Sequence, residues 1–182
     1  PTAGEAFTRA VAQILGVHIE GPYLDMKYRG AQLPEMIRLP NPPEYHAWFD
    51  TGIVKIITCA PELDSCSDFI IESVKHGVRI AIGHTQATYE QVISAAGIGA
   101  TQATHIFNGM VGLHHREPGT VGGIFDDDRL LAQVICDGSI RLSASTTATT
   151  SAVACRTPAL RAAARLKSPG RSPTTTRNPA RP

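Results

Sequence analysis

Three apolar runs of this chain lead to side chains that can hold a metal ion. "LGVHIEG" carries Glu20, "VRIAIGH" ends on His84, and "ATQATHIFN" contains His105. Zinc accepts two imidazoles and one carboxylate, and a catalytic zinc site keeps a further position open for water. A cation held in this way lowers the pKa of its bound water toward about 7 and polarises a carbonyl, which is hydrolytic machinery. Each residue alone also has a plainer reading, a hydrogen-bonded group at a strand end. Spacing by itself does not choose between the two.

The elements that would bring these residues together alternate along the chain. Strands are predicted over 15–21, 53–62, 78–84, 100–108 and 130–138. A helix is predicted over 63–77, with Leu63, Phe69, Ile70 and Val74 on one face and Gly77 as its stop. A second is predicted over 88–97, where Thr88 and Gln91 have capping-box spacing. The stretches 25–52, with Pro34, Pro40, Pro42 and Pro43, and 109–129, rich in glycine and charge, read as irregular. Gly21-Pro22 and Gly122-Gly123 read as turns.

Alternating strands and helices with continuous apolar strands predict an α/β fold, a parallel sheet covered by helices. Five strands suit either an open doubly wound sheet or part of an eight-stranded barrel. Parallel strands of one sheet end on the same side. Glu20, Glu62, His84, His105 and Asp137 are therefore predicted to share one rim. His18 should lie on the same strand face as Glu20, as a packed core residue. His46, His76 and the acidic run 126–128 read as surface.

The length of 182 residues suits one domain, yet the composition breaks at Gly138. All sixteen acidic residues precede that point and eight of the seventeen Lys and Arg follow it, so the net charge is −7 before and +8 after. All seven histidines and every aromatic residue also precede it. The remainder, built from Ala, Arg, Thr, Ser and Pro, cannot bury enough surface to offset its ordering entropy. The predicted domains are thus a folded part over 1–138 and a basic tail over 139–182, disordered or translated in a shifted frame. A nucleic-acid role for that tail is disfavoured, because no aromatics interleave its basic residues.

The four cysteines form no CxxC pair, and Cys59 and Cys136 lie in apolar runs as small buried residues. No apolar run reaches the roughly 18 residues of a membrane span, and no signal-peptide pattern opens the chain. The expected setting is a reducing cytoplasm, without membrane or nucleic-acid partners.

"GVHIEGPYL", "RGAQ", "IGHTQAT", "THIFNGM", "HHREPGTVGG" and "ICDG" occur in that order. With them, residues 15–138 resemble the N-acetylglucosamine-6-phosphate deacetylases of the amidohydrolase superfamily. The resemblance implies a (β/α)8, TIM-like barrel of the metal-dependent hydrolase type, present here in part. It also implies removal of acetate from N-acetylglucosamine 6-phosphate, and a homodimeric assembly. Glu20, His84 and His105 match the family's metal ligands; the cation implied is zinc, with iron or cobalt also suited to these donors. Ala31, Gln32, Asn108 and Gly109 match its substrate contacts. Arg116 matches the residue that grips the sugar phosphate, often across a dimer interface, and a guanidinium suits phosphate. His114 and His115 lie beside it, as phosphate neighbours or as loop surface.

The family's fifth-strand motif continues as D-G-x-H, whereas here Asp137 and Gly138 are followed by Ser139 and Ile140. The family's T-D motif, whose aspartate is the general acid/base, has no counterpart in 139–182, so no catalytic acid/base is assigned. Loss of such a group removes roughly 10²–10⁴ of rate. An impaired hydrolase is expected, with a catalytically inactive binder of metal or sugar phosphate as the alternative. The sheet is also expected to leave its fifth strand with an unpaired edge.

Overall fold

The structure is a computed structural model that describes residues 14–135 and the backbone of Val153–Arg156. Six strands form one sheet in sequential order: β1 (Val17–Glu20), β2 (Val54–Cys59), β3 (Arg79–Ile82), β4 (Ala100–Ala103), β5 (Leu131–Val134) and β6 (Val153–Arg156). The first five are parallel. Each connection between them contains one α-helix: α1 (Pro42–Asp50), which a 3-10 turn at Pro34–Met36 precedes, α2 (Cys66–Lys75), α3 (Tyr89–Gly97) and α4 (Gly119–Asp126). Sequential order with no reversal is the winding of a (β/α)8 barrel, not of a doubly wound sheet, whose order turns back on itself. The parallel strands and their helices make up a partial barrel of the predicted class.

Helix α3 forms where the pattern places it, and α2 starts later than predicted, at Cys66, which leaves Leu63 in the turn before it. Phe69 and Ile70 bury one face of α2, and Gly77, at φ +74°, ends it as a side-chain-bearing residue could not without strain. Val74 is a correction: it stands 45% exposed, and Ser73 takes the inner position by bonding the Phe69 carbonyl. The Thr88–Gln91 capping box is present in both directions.

Two helices were hidden from the sequence. In α1, Pro42 and Pro43 occupy the first turn, where a missing N–H costs nothing. Tyr45 and Phe49 then pack on Phe69, and Trp48 stacks on Tyr23. In α4, Gly122 and Gly123 are helical and buried, which corrects their reading as a turn. A Cβ at Gly123 would come within 2.7 Å of Val92 on α3, so the glycine allows the two helices to touch. Packing, not propensity, sets this helix.

The fourth strand is shorter than predicted, ending at Ala103, with His105 in the turn that follows. Asp127 is buried, accepting from the Arg129 guanidinium and backbone N–H, and this corrects its reading as surface. β6 pairs antiparallel with β5 from Leu131↔Arg156 to Val134↔Val153, so the expected bare edge of the fifth strand is covered. The rest of 139–182, with Cys136, Asp137 and Gly138, lies outside the described residues, as does the expected disorder there. Among the described residues no helix is long and apolar enough to cross a membrane.

Candidate metal centre

Strand register explains how two histidines far apart in sequence meet. Ala81 on β3 pairs with Gln102 on β4, and each histidine lies three residues beyond its member of that pair. His84 and His105 thus occupy equivalent positions past neighbouring strand ends. Both adopt left-handed backbone, at φ +49° and +31°. For non-glycine residues this is strained, and such strain gathers at functional sites. The rings meet edge to face, with centroids 4.7 Å apart. Glu20 reaches them from the end of β1.

His84 Nε2 lies 2.7 Å from Glu20 Oε1, His105 Nε2 lies 3.3 Å from the same oxygen, and the two Nε2 atoms are 3.0 Å apart. This is the one cluster of three potential metal-ligating side chains found among the described residues. Ligands around tetrahedral zinc, each ~2.0–2.1 Å from the ion, stand about 3.4 Å apart. The three donors match that arrangement in type and nearly in spacing. Their slightly closer approach suits atoms that share protons. The residues fit a divalent cation.

The electrostatics follow from the same contacts. Hydrogen bonds to His105 and His84 hold the Glu20 carboxyl well below the usual carboxylate range. The hydrogen bond to Glu20 raises His84 above an ordinary imidazole, against the opposing effect of burial. Glu20 remains 39% exposed at its side chain, so the centre opens to solvent.

His84 is oriented from behind: its Nδ1 lies 2.8 Å from the Tyr28 carbonyl and donates to it. That bond leaves Nε2 as the nitrogen facing the cluster. Gly30 and Gly109 close over the same ring; a Cβ on either would lie 3.2 Å from it. His105 Nδ1 is buried and has no hydrogen-bond partner among the described residues.

The remaining predicted residues are placed as follows. Ala31 and Gln32 directly follow Gly30, and Arg29 binds the Gln32 carbonyl at 2.8 Å. Asn108 is exposed, its side-chain amide directed to the His105 and Ile106 carbonyls, and Gly109 lies against His84. Arg116 is exposed on the loop before α4, with no ion pair among the described residues; His114 and His115 are exposed beside it, their rings 4.2 Å apart. Glu62 does not join the cluster. It accepts from Thr85 Oγ1 and from the Gln86 N–H at 2.7 Å, and burial raises its pKa. His18 is exposed, not packed in the core, with Nε2 2.7 Å from Thr58 Oγ1. Sequence reasoning missed Tyr28 and Asp25, because backbone acceptors and turn carboxylates leave no spacing signature.

No family model matches the chain. It is 38% identical over 128 residues to an N-acetylglucosamine-6-phosphate deacetylase of Lysinibacillus sphaericus, covering 69% of this chain and 33% of that protein. It is 36% identical over 129 residues to an N-acetylgalactosamine-6-phosphate deacetylase of Escherichia coli O157:H7, covering 70% and 34%. Among solved structures, the Mycobacterium smegmatis N-acetyl-D-glucosamine-6-phosphate deacetylase, one form of which is in complex with N-acetyl-D-glucosamine 6-phosphate, aligns with TM-score 0.66 and 40% identity. That alignment covers 68% of this chain and 33% of the other. The chain spans about a third of the length of the curated relatives it matches.

Proposed function

The chain belongs to the N-acetylglucosamine-6-phosphate deacetylase family, and from that premise we propose that Glu20, His84 and His105 hold one divalent cation for hydrolysis of an acetamide on a 6-phosphorylated amino sugar. The observation that carries this reading is the convergence of three donor atoms within 4.8 Å of one another. A bound cation would supply Lewis acidity to the acetamide carbonyl and acidity to water. Zinc is favoured by two imidazoles and a carboxylate; iron and cobalt also suit them.

The chain's own residues bind and orient. Tyr28 fixes the His84 ring. Ala31 and Gln32, which follow Gly30, and Asn108 and Gly109, which follow His105 in the chain, receive the sugar. Arg116, exposed and without an ion pair among the described residues, takes the phosphate, across a dimer interface if the assembly follows the family. The catalytic acid/base stays unassigned. We place the protein in the cytoplasm, a setting supported by the free thiols of Cys59 and Cys66. We further propose that the hydrolase-like part ends near residue 138, where the acidic residues stop.

A second reading, a binder of metal and sugar phosphate without turnover, is favoured by Ser139 and Ile140 where the family has D-G-x-H. Acetate release from N-acetylglucosamine 6-phosphate and its galactosamine isomer, with added zinc, separates the readings. Zinc-dependent release abolished by His105→Ala supports the hydrolase. Ligand binding without release supports the binder, and release independent of metal overturns the assigned centre.

A further inference from the structure

The loop that orients His84 is itself held by one buried carboxylate. Asp25 is 7% exposed. Its Oδ1 accepts from the backbone N–H groups of Lys27 at 2.9 Å and Tyr28 at 3.1 Å. Its Oδ2 accepts from Gln86 Nε2 at 2.9 Å, and its own N–H donates to the His84 carbonyl at 2.8 Å. The first pair of bonds closes the turn that presents the Tyr28 carbonyl. The second pair ties that turn to His84 and to the residue two positions after it. Asp25 thus joins the backbone that carries the imidazole to the carbonyl that orients it.

A buried carboxylate is costly unless well bonded. A turn alone needs only one acceptor oxygen, which serine would supply. The second oxygen is spent on the His84 segment. Glu62 braces the same segment, accepting from Thr85 Oγ1 and the Gln86 N–H.

We propose that Asp25 is a positioning residue for the metal centre, locking His84 in the tautomer and orientation that aim Nε2 at the cation. The inference rests on the metal reading given above. Groups that orient a ligand in this way cost about 10–100-fold in metal affinity when removed.

The test uses the full chain, with zinc affinity measured by competition against a chromophoric chelator and the His84 Nδ1–H followed by NMR. Asp25→Ala is expected to weaken zinc binding about 10–100-fold and to expose the Nδ1–H to rapid exchange. Asp25→Asn, which keeps a carbonyl oxygen for the turn and lets Gln86 rotate to its amide, is expected to restore most of both. Unchanged affinity with a protected Nδ1–H in Asp25→Ala overturns the proposal. Should that variant not fold, Asp25→Ser replaces it: it keeps an acceptor for the turn and loses the reach to Gln86. A loss of affinity in Asp25→Ser then supports the proposal, and none overturns it. Failure of the metal reading shows separately, as wild type binding zinc no better than the Glu20→Ala/His84→Ala/His105→Ala variant. In that case the proton alone decides: exposed in Asp25→Ala it supports the role of Asp25, and protected it refutes it.

Discussion

The two histidines of the centre stand at equivalent positions yet are held differently. His84 is supported from the β1–β2 connection, with its Nδ1 on the Tyr28 carbonyl and Gly30 against its ring, and Gly109 closes on the same ring from the loop after His105. On the β4–β5 side, the Ile106 N–H donates to Gln133 O at 2.8 Å and the Asn108 side-chain amide donates to the His105 carbonyl at 3.3 Å, but the His105 Nδ1 finds no acceptor among the described residues. A cation that takes the Nε2 lone pair of a neutral imidazole leaves the proton on Nδ1, and a buried donor without a partner costs about 1–3 kcal/mol. One ligand is held by a partner on its far nitrogen, and the other has no such partner among the described residues. The difference teaches that ligand position comes from the strand register, while ligand orientation comes from loops that must be supplied separately.

The largest expected effect breaks this asymmetry directly. Glu20→Ala and His84→Ala should each weaken zinc binding by more than the roughly 100-fold that outer groups cost. His105→Ala should cost less, because no partner among the described residues orients that ring through its Nδ1. Chelator competition on the three variants measures the order, and equal losses for the two histidines would remove the distinction.

Gly109→Ala probes the His84 side next. Its Cβ would lie 3.2 Å from His84 Nδ1 and 3.3 Å from the Tyr28 carbonyl, at φ +58°. The left-handed backbone alone costs about 1–2 kcal/mol, readable by denaturant unfolding. Crowding of the orienting bond should weaken zinc binding roughly tenfold, the lower end of the range for outer groups.

Thr58→Val should leave the comparison intact. Thr58 Oγ1 bonds Thr104 Oγ1 at 2.7 Å in the core and His18 Nε2 at 2.7 Å, without touching either metal-facing nitrogen. Stability should fall by about 1 kcal/mol with zinc affinity unchanged. A drop in affinity would show that the core beneath the centre also orients it.

The smallest effect belongs to the turn before β5. Arg129 holds the Asp127 carboxyl below its usual pKa. A depressed folded-state pKa stabilises the fold above the unfolded value, near 3.9, and that stability is lost as pH falls through the folded one. Because Arg129 is half exposed, the contribution should be under about 1 kcal/mol. Asp127→Asn should flatten the acid limb of the stability profile by that amount, and an unchanged limb would deny the contribution.

The fold class was legible because it follows from periodicity, whereas the choice of Glu20, His84 and His105 needed the family resemblance as well. Apolar strands punctuated by helix stops give a parallel sheet, and parallel strands bring their ends to one side. Glu62 also lies past its strand end, but it braces Thr85 and Gln86 just after His84 and stays out of the cluster. Helix α1 was concealed by prolines that start a helix as readily as they break one, and α4 by glycines that only close packing explains. His18 lies on the predicted face, but its exposure could not be read from one strand. The Asp25–Tyr28 support was invisible, since a carbonyl acceptor belongs to no residue type.

The most direct measurement is zinc stoichiometry and zinc-edge X-ray absorption on the full chain, beside Glu20→Ala/His84→Ala/His105→Ala. The expected result is one zinc per chain in a light-atom shell that includes two imidazoles, lost in the triple variant. Zinc bound equally by the triple variant, or a shell without imidazole, would contradict the centre assigned to Glu20, His84 and His105.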